Sequence, residues 1–267
     1  MGVKLTAIVP RTNIDFEDLK NKKVGIDASN MLYQFLASIR GKDGMPLMDS
    51  KGRVTSHLMG TWTRLGNLLQ KQIKLVVVYD GKPPALKFGT QESRQEKKRL
   101  AQKRYENAID EEDTDAMRKY AKQTSRLTSE MIKSSKGLIN AMGIPVVSAP
   151  SESDAQISFM NERDDIDYAA SSDYDCLLHG AKKLILNLTL SPKRKIPGGG
   201  FVYIKPELLE LDNVLKHLKI NRDQLIVLGI LCGTDYNPKG VRGIGPKKAL
   251  NLVLGYTGLL NLGHVAL

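Results

Sequence analysis

A run of mostly branched aliphatic residues at positions 73–79, Ile-Lys-Leu-Val-Val-Val-Tyr, is the strongest structural signal in the sequence. Such a run is typical of a β-strand that is buried on both faces. Asp80 follows it directly, and Gly81-Lys82-Pro83-Pro84 then breaks the strand. Because a strand buried on both faces needs helices on each side of its sheet, the run favours an α/β fold.

Weaker strand signals alternate with helical patterns along the rest of the chain. The predicted strands lie at 22–27, 143–147, 168–172 and 184–188, and the predicted helices at 28–39, 55–69, 155–161 and 221–232. This alternation predicts a mostly parallel central sheet with helices on both faces. In sheets of this kind, ligands bind beyond the carboxyl ends of the strands.

Acidic residues stand at the carboxyl ends of three predicted strands, namely Asp27, Asp80 and Asp173. Four further acids are available near these positions: Glu152, Asp154, Asp175 and Asp235. Parallel strands end at the same edge of a sheet, so these carboxylates are expected to lie close together. Oxygen ligands without nearby histidines favour Mg²⁺ or Mn²⁺ over zinc. The sequence therefore predicts a carboxylate-rich metal site.

The Asp173-Tyr174-Asp175 motif follows the small, apolar strand predicted at 168–172. On an extended backbone its two carboxylates would point the same way. Two like charges side by side in a partly desolvated cleft need a cation or a raised pKa. The alternative is an exposed acidic turn, and the repetition of acids at other strand ends favours the metal site.

Ser151 and Asp154 have the spacing of a helix capping box ahead of the helix predicted at 155–161, with Asp in place of the usual Glu. That structural role does not account for Glu152. It also does not stop an acid in the first turn of the helix from facing a metal, so both roles stay open for Asp154.

Basic residues outnumber acidic ones by 40 to 29, which gives a net charge of +11. This charge favours a polyanionic partner, either nucleic acid or a membrane surface. The segment 90–104 is almost wholly polar and basic, and is either a solvated helical arm or a helix that contacts phosphates. Residues 193–200 are basic and glycine-rich and predict a surface hairpin or loop. The glycines and lysines at 240–249 open a helix where backbone N–H groups can meet an anion.

Composition excludes several other classes of protein. No apolar run approaches the roughly 20 residues of a membrane span. The only cysteines, Cys176 and Cys232, have neither zinc-site nor disulfide spacing, which favours a reducing, intracellular compartment.

A carboxylate metal site beside basic helices suits two-metal phosphodiester hydrolysis.

Several ordered motifs together resemble the flap endonuclease family of structure-specific 5′ nucleases, most closely its archaeal members. The motifs are Val24-Gly25-Ile26-Asp27-Ala28-Ser29, Tyr33-Gln34-Phe35-Leu36, Tyr79-Asp80-Gly81-Lys82-Pro83-Pro84, Ala149-Pro150-Ser151-Glu152, Ser172-Asp173-Tyr174-Asp175-Cys176-Leu177, Gly233-Thr234-Asp235-Tyr236 and Arg242-Gly243-Ile244-Gly245-Pro246-Lys247. The resemblance implies a PIN-like nuclease domain over 1–267, with a helical arch at about 82–135 and a helix-hairpin-helix at about 222–255. It also implies 5′ flaps and 5′ ends of branched duplex DNA as substrates, in replication and repair.

The resemblance also implies roles for individual residues. The metal carboxylates would be Asp27, Asp80, Glu152, Asp154, Asp173, Asp175 and Asp235, holding two Mg²⁺ ions that Mn²⁺ can replace. Lys87 and Arg94 would stabilise the transition state. The residues expected at the DNA are Gly2, Tyr33, Arg40, Arg64, Lys97, Lys98, Gly243, Gly245, Lys247 and Lys248. A K⁺ ion is expected at the helix-hairpin-helix. For Tyr33, simple core packing is the alternative.

Two departures from the family pattern matter. Asp154 stands where the family usually has Glu, which puts its direct ligation of metal in doubt. The chain stops at Leu267, so the family's further C-terminal helices and sliding-clamp peptide are expected to be absent. A monomer is expected, cytoplasmic if archaeal and nuclear if eukaryotic. The rival interpretations are a DNA-junction-binding protein with weak or no catalysis and a PIN-type ribonuclease.

Overall fold

The computed structural model describes residues 3, 5–41, 44–110, 113, 120, 124, 126–189, 193–195 and 199–255. The chain divides into two compact units. One, here called the arch unit, is Leu19–Ser153, and the other, here called the hairpin unit, joins Met1–Asp18 to Asp154–Leu267. Within the described residues, no helix is both long and apolar enough to cross a lipid bilayer. The expectation of a single nuclease domain over 1–267 stays a prediction.

Three parallel strands form the sheet of the arch unit. They are β2 (Lys23–Asp27), β3 (Lys74–Tyr79) and β4 (Val146–Ser148), and β3 pairs with both of the others. The strong apolar run is thus a central strand here, as its composition predicts. Its side chains Val77 and Val78 are fully buried.

In its described residues, the arch unit has the helices α1 (Ala28–Ser38), α2 (Ser56–Gln70), α3 (Phe88–Asp110) and α4 (Ser129–Ala141). Helix α1 packs on α2 where Gly60 lies against the ring of Phe35, and a Cβ on Gly60 would overlap that ring. Helix α3 follows a short 3₁₀ turn, Ala85–Lys87. Of its described side chains only Ala101, Tyr105 and Ala108 are buried, which confirms the predicted polar, basic helix. Much of the predicted arch between α3 and α4 lies outside the described residues.

Four strands of the hairpin unit pair in the order β1 (Thr12–Asn13), β9 (Glu207–Glu210), β6 (Lys183–Leu186) and β5 (Tyr168–Ala170). Strands β5 and β6 are parallel, whereas β9 runs antiparallel to β6 and β1. Strand β1 was not predicted, because two polar residues carry no apolar pattern. A separate hairpin joins β7 (Lys193–Lys195) to β8 (Phe201–Tyr203), as the basic, glycine-rich segment predicts.

The remaining helices are α5 (Ser153–Glu162), α6 (Asp175–Leu178), α7 (Leu211–Leu218), α8 (Arg222–Cys232) and α9 (Pro246–Gly255). Helices α8 and α9 occupy the predicted helix-hairpin-helix region. Asn221 caps α8 in a capping box with Gln224. Helix α5 begins two residues before its predicted start.

The extended geometry predicted for Asp173 and Asp175 is wrong. Strand β5 ends at Ala170, and Asp175 is the first residue of α6. The backbone forms a turn directly after the strand. In this turn the Oγ of Ser171 accepts a hydrogen bond from the N–H of Asp173 at 3.3 Å. The two acids therefore reach their positions through a turn and a helix start.

Candidate functional site

Three acids of the arch unit come from the carboxyl ends of its parallel strands or from the loop beyond them. Asp27 ends β2, Asp80 follows β3 directly, and Glu152 comes four residues after β4. The strand-end positions predicted for Asp27 and Asp80 are confirmed. Asp27 is 6% exposed and also caps α1, since its Oδ1 accepts the Asn30 N–H at 3.1 Å.

Ser153, which sequence reasoning missed, joins two of these acids. Its Oγ lies 2.7 Å from Oδ1 of Asp80 and 3.0 Å from Oδ1 of Asp27. Its backbone N–H also donates to Oδ1 of Asp80, at 2.8 Å. The first N–H groups of a helix have no partner inside the helix, so the N–H of Ser153 is available to hold Asp80 where it stands.

Lys87 forms an ion pair with Glu152, and both side chains are largely buried. Gly81 lies against the backbone of Ala149 and Pro150, where any Cβ would overlap the Ala149 carbonyl oxygen. The Gly81 N–H donates to the Ser151 carbonyl at 2.6 Å. This close approach joins the loop after β3 to the loop after β4. Arg94 is on α3, and its side chain lies outside the described residues.

A second group of acids lies in the hairpin unit, where Asp175 is close to Asp173 and Asp235. Burial raises the pKa of Asp175, and the negative charges of Asp173 and Asp235 raise it further. The Val3 N–H, which donates to Asp175 Oδ1 at 2.8 Å, opposes this shift of the pKa. Asp235, only 9% exposed, follows α8 in a turn. These three acids therefore repel one another, as predicted for the Asp173 and Asp175 pair.

Asp154 has a different neighbour. Its Oδ1 is 3.2 Å from the Sγ of Cys176, which is fully buried, and the thiol donates to it. Asp154 is thus tied within the hairpin unit to the first turn of α6.

The donor chemistry fits hard divalent cations. All the predicted ligands are carboxylates, and Mg²⁺ and Mn²⁺ prefer oxygen ligands. The repulsion at Asp175 is of the kind that a cation relieves. In the part of the chain that the structure describes, no three His, Cys, Asp or Glu side chains already converge in the geometry of a metal site. The predicted carboxylates therefore fit Mg²⁺ or Mn²⁺ by the type of their ligand atoms.

Tyr33, on α1, is 40% exposed, which argues against simple core packing. The Nζ of Lys98, on α3, lies 4.7 Å from the centre of its ring. This distance is within the range of a cation–π contact. Lys97, the residue before Lys98, is exposed.

Arg40 and Arg64 are half-buried, and burial lowers the pKa of each guanidinium. Arg40 donates to the Gly44 carbonyl at 2.8 Å. It also lines a mainly apolar cavity of about 210 Å³ together with Tyr105 and Arg126. Sequence reasoning missed this cavity, because its walls come from distant parts of the arch unit.

The loop between α8 and α9 carries the predicted glycines, and the first turn of α9 carries the predicted lysines. Gly243 has φ +79°, a left-handed conformation that favours glycine. Lys247 and Lys248 are exposed at the start of α9, and Lys248 Nζ is 3.4 Å from the Gly243 carbonyl. Gly2 lies outside the described residues.

Some exposed aromatic residues were not singled out by the sequence analysis. Trp62 on α2 is 60% exposed and Tyr203 on β8 is 73% exposed. Trp62 stands between two threonines and Tyr203 stands in the apolar run 201–204, so no common sequence pattern marks them.

Comparison with known proteins agrees with the geometry. The XPG N-terminal domain matches residues 1–101, and the XPG I-region matches residues 143–235. The flap endonuclease 1 of Hyperthermus butylicus is 52% identical over 257 residues, which are 95% of this chain and 73% of that protein.

Solved structures agree as well. The flap endonuclease-1 from Methanococcus jannaschii has a TM-score of 0.74 and 45% identity, over 95% of this chain and 77% of that one. The catalytic core of Rad2 in complex with DNA substrate has a TM-score of 0.69 and 26% identity, over 97% and 68%. These likenesses confirm the predicted PIN-like α/β fold. The chain spans about three quarters of the length of its curated relatives, and it belongs to the flap endonuclease family.

Proposed function

We propose that this protein is a metal-dependent, structure-specific 5′ nuclease that hydrolyses phosphodiester bonds at 5′ flaps and 5′ ends of branched duplex DNA. The observation that carries the proposal is the position of Asp27, Asp80 and Glu152 at the carboxyl end of parallel strands, beside the cation of Lys87. Identity of 52% to a flap endonuclease supports it over a PIN-type ribonuclease or a non-catalytic junction-binding protein.

The two acidic groups are the proposed ligands of two divalent ions, Mg²⁺ in the first place and Mn²⁺ as a substitute. In the arch unit the ligands would be Asp27, Asp80 and Glu152; in the hairpin unit they would be Asp173, Asp175, Asp235 and, directly or through water, Asp154. When bound, such ions activate water and stabilise the leaving oxygen of a phosphodiester.

Lys87 is proposed to donate to the scissile phosphate as negative charge develops on its oxygens. Its ion pair with Glu152 holds the ammonium group among the carboxylates, so little reorganisation is needed when a phosphate arrives. Arg94 lies seven residues along α3 and is proposed to act on the same phosphate.

The remaining predicted residues are proposed to hold the DNA. Tyr33 offers an exposed ring for stacking on a base, with Lys98 already at its face. The helix start after Gly243 and Gly245, with two exposed lysines, suits duplex phosphates. A K⁺ ion at this helix-hairpin-helix is proposed from the family resemblance alone. Gly2, Arg40, Arg64 and Lys97 are proposed to lie along the DNA, as the resemblance to the family implies.

We also propose that the protein acts as a monomer and, by its likeness to archaeal relatives, in the cytoplasm. The likeness to flap endonucleases suggests a sliding-clamp partner for a full-length protein.

A labelled double-flap DNA tests the proposed function. We expect cleavage at the base of the 5′ flap with Mg²⁺ and none with EDTA. A linear duplex of the same sequence should be cut far more slowly, and a single-stranded RNA should not be cut. Equal cleavage of flap and linear DNA, or preferential cleavage of RNA, would contradict the proposal.

A further inference from the structure

We infer that Ser153 is a positioning residue for the metal site: its hydroxyl bridges the carboxylates of Asp27 and Asp80 and holds them ready for a divalent ion. This inference rests on the proposed function. It adds to the site a residue that is not itself a ligand.

The geometry of the bridge carries the inference. Ser153 is 2% exposed, so its hydroxyl cannot turn to water instead. A serine hydroxyl has one proton, and because ionised carboxylates only accept, Ser153 shares this proton between the two of them. Placed 2.7 Å from Asp80 Oδ1 and 3.0 Å from Asp27 Oδ1, it ties together the ends of two neighbouring strands.

Ser153 contacts the Oδ1 oxygen of each carboxylate. Oδ1 of Asp80 accepts both the N–H and the hydroxyl of Ser153. Oδ1 of Asp27 meets the same hydroxyl and the Asn30 N–H. Donors fixed on one oxygen set the rotation of the carboxylate, and therefore where its other oxygen points. Partners that orient metal ligands in this way typically contribute about 10–100-fold to metal affinity or activity.

A Ser153→Ala variant separates the bridge from the rest of the site. The backbone N–H to Asp80 remains, so the variant loses only the hydroxyl that joins Asp80 to Asp27. We therefore expect a loss near the lower end of that range, about 10-fold in the affinity for divalent metal.

Ser158→Ala is the matched control. Ser158 lies on the same helix and is also fully buried, but its hydroxyl donates to the carbonyl oxygens of Asp154 and Cys176, at 2.6 and 3.1 Å. This variant loses a buried hydroxyl of equal size without touching a ligand carboxylate in the arch unit. We expect it to lower the melting temperature but to leave metal affinity within about twofold, since no carboxylate loses a donor.

The first measurement is the binding of Mn²⁺ to the whole chain without DNA. The electron paramagnetic resonance signal of free Mn²⁺ falls as the ion binds, so this readout is independent of cleavage. In parallel, flap cleavage is measured as a function of Mg²⁺ concentration. Ser153→Ala should shift both the Mn²⁺ dissociation constant and the half-saturating Mg²⁺ by a similar factor, while cleavage at saturating Mg²⁺ recovers. Ser153→Cys, of similar size but with a weaker donor, should fall between Ser153→Ala and the parent, and it serves in place of the alanine variant if that does not fold.

Unchanged Mn²⁺ affinity in Ser153→Ala, or an equal shift in Ser158→Ala, would overturn the inference. So would a low plateau of cleavage with no shift in the Mg²⁺ dependence, because that pattern would indicate a role outside metal positioning. A parent protein that binds no Mn²⁺ and cuts no flap would instead refute the proposed function, so the two failures are distinguishable.

Discussion

Replacing Lys87 with methionine should slow the chemical step of flap cleavage while leaving DNA binding nearly intact. The side chain of Lys87 is 18% exposed and that of its partner Glu152 is 13% exposed. A charge held so far from bulk water is weakly screened by salt. It therefore acts on a developing negative charge much more strongly than a lysine on the surface does.

The expected loss is that of one preorganised donor, about 10²–10³ in rate, or roughly 2.7–4 kcal/mol of transition-state stabilisation. Methionine keeps the length of the side chain and removes only its charge and donors. Glu152 then has no ion pair with residue 87. The loss of this competing cation would strengthen, not weaken, the attraction of Glu152 for Mg²⁺. The loss should therefore be found in the maximal rate and not in a higher requirement for Mg²⁺.

Single-turnover cleavage at saturating enzyme and Mg²⁺ measures this rate directly. Lys97→Met is the control, since Lys97 is an exposed lysine on α3 and should alter mainly the affinity for DNA. Equal, small effects on the rate at both lysines would refute the reasoning and would indicate a general electrostatic attraction for DNA.

Asp175→Asn should abolish cleavage yet retain flap binding. Because burial and two acidic neighbours raise the pKa of Asp175, its charged form disfavours the fold, and the stability of the metal-free parent should fall as pH rises through the raised pKa. At neutral pH the variant should therefore melt higher than the parent without metal and gain less from added Mg²⁺; an active variant would contradict the metal role. Lys247→Ala with Lys248→Ala should weaken binding equally on all DNA sequences and flatten its salt dependence by about two units of log–log slope, and a sequence-selective loss in a binding titration would contradict this. Burial lowers the pKa of His57, so the contribution of His57 to stability should be constant above pH of about 6.5 and fall below it, as the unfolded chain takes up the proton first; urea unfolding across pH 5–8 should show that His57→Gln lacks this loss of stability at low pH.

The sequence could predict the strand-end acids because two local rules act together. Burial on both faces identifies β3 from composition alone, and the residue after a parallel strand must lie at the sheet's carboxyl edge. Asp27 and Asp80 follow from these rules. Residues 173 and 175 do not, because β5 is only three residues long and its end is set by a turn at Ser171 that has no apolar pattern.

Boundaries and partners that depend on the tertiary structure were harder to predict. Helix α5 starts at Ser153, and the N–H of Ser153 donates to the carboxylate of Asp80. Asp80 stands 73 residues earlier in the chain. A capping rule that compares only residues three apart cannot detect such a partner. The same limit explains why the ion pair of Lys87 with Glu152 was not foreseen as a contact, although both residues were chosen for their chemistry.

The role of Ser153 cannot be recognised from its residue type alone. A divalent ion demands oxygen ligands, so its carboxylates can be recognised by type and by position at strand ends. The group that orients those ligands needs only one donor in the right place, and a serine at the start of a helix has an ordinary structural explanation. What distinguishes Ser153 is that one hydroxyl meets two acids that are 73 and 126 positions away in the chain. That information lies in the packing of Ser153 against the ends of β2 and β3, and only a structure brings these three residues together.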